Sequence, residues 1–219
     1  MQTPRAGSRN LTEEAYDHVR MAILRGQLPV GSVVAEGEVA LSLGMSKTPV
    51  RQALQMLRRE GLLEIGRRRQ LIVRGFTAER RDEILEVRES LERIAVRHAC
   101  TSMPIDDVDY LHLLVMRQRR AIEAESDDDF VDLDEEFHLR IAEGAGLPIV
   151  ARLLGQLRGF VRIMRLGAER VRDASLAVDE HAAIVAAIEA RDPDAAEAAL
   201  LAHLEASNAS HVPIATNAQ

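Results

Sequence analysis

Residues 36 to 61, EGEVALSLGMSKTPVRQALQMLRREG, carry two short runs of helical period on either side of a glycine, and few folds accommodate that pattern. Val39, Ala40 and Leu43 fall at i, i+1 and i+4 and make one apolar stripe, and Gly44 follows where a left-handed residue ends a helix. Thr48 then offers an N-cap oxygen, with Pro49 in the first turn, where a missing N–H costs nothing. Val50, Leu54 and Leu57 form the inward stripe of the second helix, leaving Arg51, Gln52, Gln55, Arg58 and Arg59 outside until Gly61 stops it. Upstream, Leu11 to Leu28 repeats Tyr16, Val19, Ile23 and Leu24 at helical spacing behind Thr12, which has N-cap chemistry with Glu13 and Glu14 after it. Downstream, Leu62 to Ile65 and Leu71 to Val73 are strand-like runs separated by Gly66, Arg67, Arg68, Arg69 and Gln70. Three helices and a basic hairpin make a winged helix-turn-helix.

In that arrangement the N-terminal half of the second short helix is the base-reading end. Arg51 has the chemistry to pair with guanine and Gln52 with adenine, while Ser46, Lys47 and Thr48 sit where the positive helix end meets phosphate. The competing reading is a surface helix with a solvated charged face, and the flanking elements argue against it. The segments LTEEAYDHVRMAILRGQLPVGSVV and LGMSKTPVRQALQMLRREGLLEI resemble the DNA-binding domain of the GntR transcription regulators, over about residues 10 to 76. The resemblance implies DNA contacts from Ser46, Lys47, Thr48 and Arg51, and a wing carrying Arg67, Arg68 and Arg69 that enters the minor groove. Lys47 stands where that family usually has arginine, and Gln70 where a wing glycine is common.

Charge divides the chain at the same place. Residues 1 to 76 hold 12 Lys+Arg against 7 Asp+Glu, whereas residues 77 to 219 hold 16 against 28. The first part attracts phosphate and the second repels it, so DNA is expected to meet only the N-terminal part. A single cysteine, Cys100, excludes an intrachain disulfide framework. The lack of a spanning-length apolar run or leader pattern points to the cytoplasm and away from membranes.

After Phe76 the pattern is helical throughout, in segments near 78 to 102, 105 to 125, 127 to 143, 147 to 172, 175 to 191 and 193 to 211. The expected fold is therefore mostly α. It comprises a loose tail at 1–10, the winged helix-turn-helix at 11–76 with its small β-hairpin, an all-α bundle of six helices at 77–212 with a seventh allowed, and a loose tail at 213–219. Stripes such as Ile84, Leu91 and Ala95, or Val150, Leu154, Leu157, Val161, Met164 and Ala168, are core faces without functional content.

Polar residues on such faces are more informative. Asp134 and His138 lie one turn apart beside Phe130, Leu133, Phe137 and Ile141; His181 shares a face with Ile184, Val185 and Ile188; His203 shares one with Ala196, Leu200 and Ser207. Three histidines and an aspartate pointing inward from three helices suit a divalent metal, although a lone inward histidine is more often a hydrogen-bonded core residue than a ligand, and Asp134 with His138 alone would serve as a helix-surface pair. DLDEEFHLRIAEGAGLPIV and EHAAIVAAIEARDPDAAEAALLAHL resemble the FCD ligand-binding domain of the FadR-type branch of GntR regulators. In its metal-containing members the positions matching Asp134, His138, His181 and His203 are the ligands. Zinc is the first candidate, with nickel, manganese or another first-row ion as alternatives.

Arg88 lies within the Ile84, Leu91 and Ala95 stripe, where an arginine needs an anion: an ion pair with Glu92 or Asp134, or a bound ligand. EVRESLERIAVRHA resembles the first FCD helix, whose matching arginine helps hold organic-acid effectors. A small carboxylate between the metal and Arg88 follows from that resemblance. The expectation is a homodimeric, palindrome-reading repressor controlled by such an acid. A structural metal without an effector, or a metal-dependent hydrolase fused to a DNA-binding domain, are the rival readings; the second lacks an identifiable general base.

Overall fold

The computed structural model describes residues 10–166, 168–170, 174–209 and 211–213. The loose tails expected at 1–10 and 213–219 lie outside the described residues except for Asn10 and Pro213, which end the two elements named below. The chain divides into two compact units, the first running to Phe76 and taking in Arg162–Leu166, the second beginning at Thr77.

The first unit contains α1 (Leu11–Leu24), α2 (Glu36–Ser42), α3 (Lys47–Arg59), β1 (Leu63–Ile65) and β2 (Leu71–Val73). Ala15, Val19, Ile23 and Leu24 of α1 meet Val50, Ala53, Leu54 and Leu57 of α3 in a core that water barely reaches. Tyr16 stands at its margin, where burial and the hydrogen bond from its hydroxyl to Glu60 (2.8 Å) push the phenol up to about 12. Gly44 has φ +62°, the left-handed turn that separates α2 from α3. Two expected caps are displaced. Asn10, not Thr12, caps α1, its side chain accepting from the Thr12 N–H at 3.1 Å. The α3 N-cap is Ser46, without a side-chain bond, which leaves Thr48 and Pro49 inside the first turn. Proline at this point is still harmless, because the first N–H groups of a helix have no intrahelical partner. α1 also stops at Leu24 rather than Leu28.

β1 and β2 pair antiparallel with Glu64 opposite Ile72, and the segment around Val33 adds a bridge to Ile72. Gly31–Val34 is thus a third partner of the wing that its sequence, Gly-Ser-Val-Val, is too short to announce. At the tip the Gly66 N–H donates to the Gln70 carbonyl and the Arg69 N–H to the Gly66 carbonyl. Arg69 (φ 59°), rather than Gln70, adopts the left-handed conformation that this turn needs.

The second unit contains α4 (Ala78–Ser102), α5 (Ile105–Glu123), α6 (Asp127–Gly144), α7 (Pro148–Leu166) as far as Val161, α8 (Ala174–Glu189) and α9 (Pro193–Ala209), six helices among the described residues. It also holds a two-stranded ribbon, β3 (Ala168–Arg170) with β4 (His211–Pro213), which corrects the expectation of helix through 172 and to 211. Three-residue strands are too brief to show an alternating pattern. α8 packs on α9, α5 on α6, and α4 on α9, around Val96, Leu111, Leu114, Phe137, Ile184, Ile188 and Leu200. None of the described helices is long and apolar enough to cross a membrane.

Between α8 and α9, Arg191 takes a left-handed turn (φ 59°) and donates to the carbonyls of Ala99 (3.2 Å), Cys100 (3.3 Å) and Met103 (2.9 Å). These carbonyls end α4, where the dipole favours a cation; the Ala99 carbonyl also accepts from the Met103 N–H (3.1 Å). Replacing Arg191 with alanine is expected to destabilise the helical unit by about 2 kcal/mol in urea denaturation followed by circular dichroism.

Candidate metal centre and nucleic-acid interface

α6, α8 and α9 bring Asp134, His138, His181 and His203 to one point, and all four are buried. Helical spacing does this directly: Asp134 and His138 are i and i+4 on α6, while His181 and His203 sit on the faces of α8 and α9 that meet the core. His181 Nε2 is 3.2 Å from His203 Nε2, which is 3.3 Å from His138 Nε2. Asp134 Oδ1 lies 3.6 Å from His181 Nε2 and 4.0 Å from His138 Nε2. The Phe137 ring stacks on His181 at 4.3 Å between centroids and closes one side of the cluster.

The outer nitrogens fix which way the rings face. Gln118 Nε2 donates to the Leu133 carbonyl (3.1 Å), so its Oε1 is left to accept from His181 Nδ1 (2.8 Å). His203 Nδ1 donates to Glu180 at 2.9 Å. His138 Nδ1 lies 2.7 Å from Glu92 Oε2, a close charge contact rather than an aligned hydrogen bond. A proton on Nδ1 of His181 and of His203 leaves their Nε2 lone pairs aimed at a shared centre, which His138 Nε2 also faces. Burial and neighbouring His203 hold His181 well below the ordinary histidine range, and burial and His138 bring His203 to about 4. Neutral imidazoles are the ligating form.

Facing lone pairs repel at this separation unless a cation lies between them. Donors about 2.1 Å from a tetrahedral ion stand about 3.4 Å apart, close to the spacing seen between the imidazole nitrogens. The four residues therefore fit a divalent metal, and their mixed nitrogen and oxygen set suits zinc, nickel or manganese without choosing among them.

Arg88 and Glu92 are one buried pair, with Nε donating to Oε1 at 2.6 Å. Of the partners considered for Arg88, Glu92 is the one it meets directly. Burial alone would raise the Glu92 carboxyl; the charge of Arg88, with the adjacent His138 ring, outweighs that and holds it below the usual range. Both residues line a small, partly open pocket of about 40 Å³ beside His138, together with Glu135 and Arg158. Arg158 Nε donates to Glu135 there. From the sequence Glu92 emerges only as a partner of Arg88, one turn later on the same stripe, and Gln118 and Glu180 do not stand out, since they carry no signal without the helix packing.

In the first unit Ser46, Lys47, Thr48, Arg51 and Gln52 are exposed along the start of α3, and Arg67, Arg68 and Arg69 are exposed on the wing tip. The buried stripe of α3 faces away from them, as an element entering a groove requires.

The family profile described as "FCD domain" matches residues 83–206, and that described as "Bacterial regulatory proteins, gntR family" matches residues 11–73. The "HTH-type transcriptional repressor RspR" of Escherichia coli (strain K12) is 26% identical over 196 residues, covering 89% of this chain and 86% of that protein. The "Probable D-xylose utilization operon transcriptional repressor" of Paenarthrobacter nicotinovorans is 34% identical over 213 residues, covering 90% of this chain and 86% of that protein. Among solved structures, Escherichia coli McbR/YncC superimposes with a TM-score of 0.82 at 22% identity, covering 92% of this chain and 97% of that one, a likeness of fold.

Zinc added to chelator-treated protein is expected to raise the thermal unfolding midpoint of the helical unit, and His181→Ala to abolish the increment. Gln118→Ala, which frees the His181 ring without removing a ligand, is expected to weaken zinc about 10–100-fold in competition titrations.

Proposed function

This chain belongs to the gntR family of bacterial regulatory proteins and carries an FCD domain, and we propose that it is a cytoplasmic repressor that reads a palindromic operator as a homodimer and releases it when a small carboxylate binds beside the buried histidines. Proteins of this family are transcription regulators that bind DNA operators, not enzymes. On this reading residues 11–76 form the DNA-reading head and 77–212 the sensor.

The observation that carries the sensor reading is the shared lining: Arg88, Glu92 and His138 join the histidine cluster to a small, partly open pocket of about 40 Å³. A bound divalent ion would supply positive charge and Lewis acidity there. Asp134, His138, His181 and His203 would hold it, with the outer contacts of Gln118, Glu180 and Glu92 keeping the rings in place. The pocket arginines already face carboxylates, Arg88 with Glu92 and Arg158 with Glu135. Arg88 orients the bound carboxylate by hydrogen bonding.

For DNA, Ser46, Lys47 and Thr48 hold phosphate at the positive start of α3, Arg51 and Gln52 reach base edges, and Arg67, Arg68 and Arg69 carry the wing to the backbone and minor groove. One helix reads only a few base pairs, so two copies on a two-fold site supply the discrimination a genome demands. Release requires only that the acid bind the non-reading arrangement more tightly than the reading one.

In gel-shift titrations Arg51→Ala is expected to cost about 1–3 kcal/mol on the preferred duplex and little on random duplex. With zinc-loaded protein, calorimetry against a panel of small monocarboxylates is expected to find a binder that lowers operator affinity at least about fivefold. Arg88→Ala is expected to weaken that binder; equal acid binding by both proteins would refute the role given to Arg88.

A further inference from the structure

α2 places an acid in the middle of the DNA-reading surface. Glu36 opens that helix and accepts two parallel bonds from Arg51, Nε to Oε2 and Nη2 to Oε1, both at 2.8 Å. The side chains are 61% and 27% exposed for Arg51 and Glu36, so the pair adds little to stability. Its geometry matters more than its strength. A guanidinium has a side-on fork, Nε with Nη2, and an end-on fork, Nη1 with Nη2; Glu36 occupies the first and leaves the second. The end-on fork matches the O6 and N7 acceptors of guanine.

Gln52 is treated similarly, since the Thr12 hydroxyl of α1 donates to its Oε1 at 2.9 Å and directs the amide nitrogen elsewhere. Two neighbouring side chains of α3 are thus aimed by groups on other helices. Hydrogen bonding from Arg51 holds the Glu36 carboxyl below the usual range, with a smaller contribution from the charge of Lys47. An ionised carboxylate here also opposes phosphate, which any sequence presents.

We propose that Glu36 is a specificity-determining positioning residue: it holds Arg51 side-on so that the guanidinium meets DNA only through its end-on fork, and its charge penalises binding out of register. The proposal rests on the reading of α3 as the helix that enters the major groove. Without Glu36 the arginine is free to take a phosphate, and affinity for arbitrary DNA rises as discrimination falls.

The test begins by selecting a preferred duplex from a random pool with the wild-type full chain. Affinities for that duplex and for a random-sequence duplex are then measured over a range of salt for wild type, Glu36→Gln, Glu36→Asp, Arg51→Ala and the Glu36→Gln/Arg51→Ala double variant. Glu36→Gln is expected to bind random duplex several-fold tighter, with a salt slope steeper by about one, and to lose about tenfold in the ratio of preferred to random binding. Glu36→Asp keeps the charge but shortens the fork, and is expected to lose discrimination without gaining random affinity. In the Arg51→Ala background Glu36→Gln is expected to change the ratio much less, leaving only the effect of the lost charge. An unaltered ratio in Glu36→Gln, or equal weakening on both duplexes with a lowered unfolding midpoint, would overturn the proposal. Failure of the wild type to select any duplex would instead remove the DNA-reading premise, and the proposal with it.

Discussion

Three imidazole Nε2 atoms face one another across 3.2 and 3.3 Å in the interior of the helical unit, and that arrangement organises the elements around it. Apolar packing alone would not choose it, because buried polar groups cost free energy unless each is matched. Here the matching is supplied from outside the cluster: Gln118 from α5, Glu92 from α4 and Glu180 from α8 take the outer nitrogens. Each of these helices has a polar obligation as well as an apolar face. Registers that satisfy only the apolar stripes leave a histidine turned the wrong way. The cluster therefore acts as a specification of helix register, whatever it adds to stability.

The same economy of contact runs into the neighbouring pocket. Glu92 touches Arg88 with one oxygen and His138 with the other. A change at either end is felt at the opposite end through two short contacts, with no long chain of residues needed. The link is physical adjacency, and it makes Arg88 and the histidines parts of one polar unit.

Much of this was legible in the sequence, for identifiable reasons. The helix-turn-helix follows from spacing that nothing else explains, and the apolar stripes of α3 and α6 lie where their period places them, with Leu54, Leu57 and Phe137 buried. The four inward residues were visible because a charged or imidazole side chain on an apolar stripe is conspicuous. Less was legible where the deciding interaction is tertiary or competes locally. Asn10 outcompetes Thr12 as a cap because both have suitable oxygens and only the backbone turn decides. β3 and β4 depend on a pairing between residues some forty positions apart. Gln118 looks like any helix-surface amide until α5 is placed against α6 and α8. Glu36 looks like an ordinary first-turn acid until α3 brings Arg51 to it.

Arg69 shows what a chain accepts when charge and backbone make opposing demands. An L-residue with a side chain held at φ 59° carries a conformational penalty of roughly 1 kcal/mol that glycine would avoid. The tip of the wing keeps a cation there nonetheless. Mutational drift toward a more relaxed hairpin would thus tend to discharge it, and only selection for a positively charged tip would hold the strained residue in place.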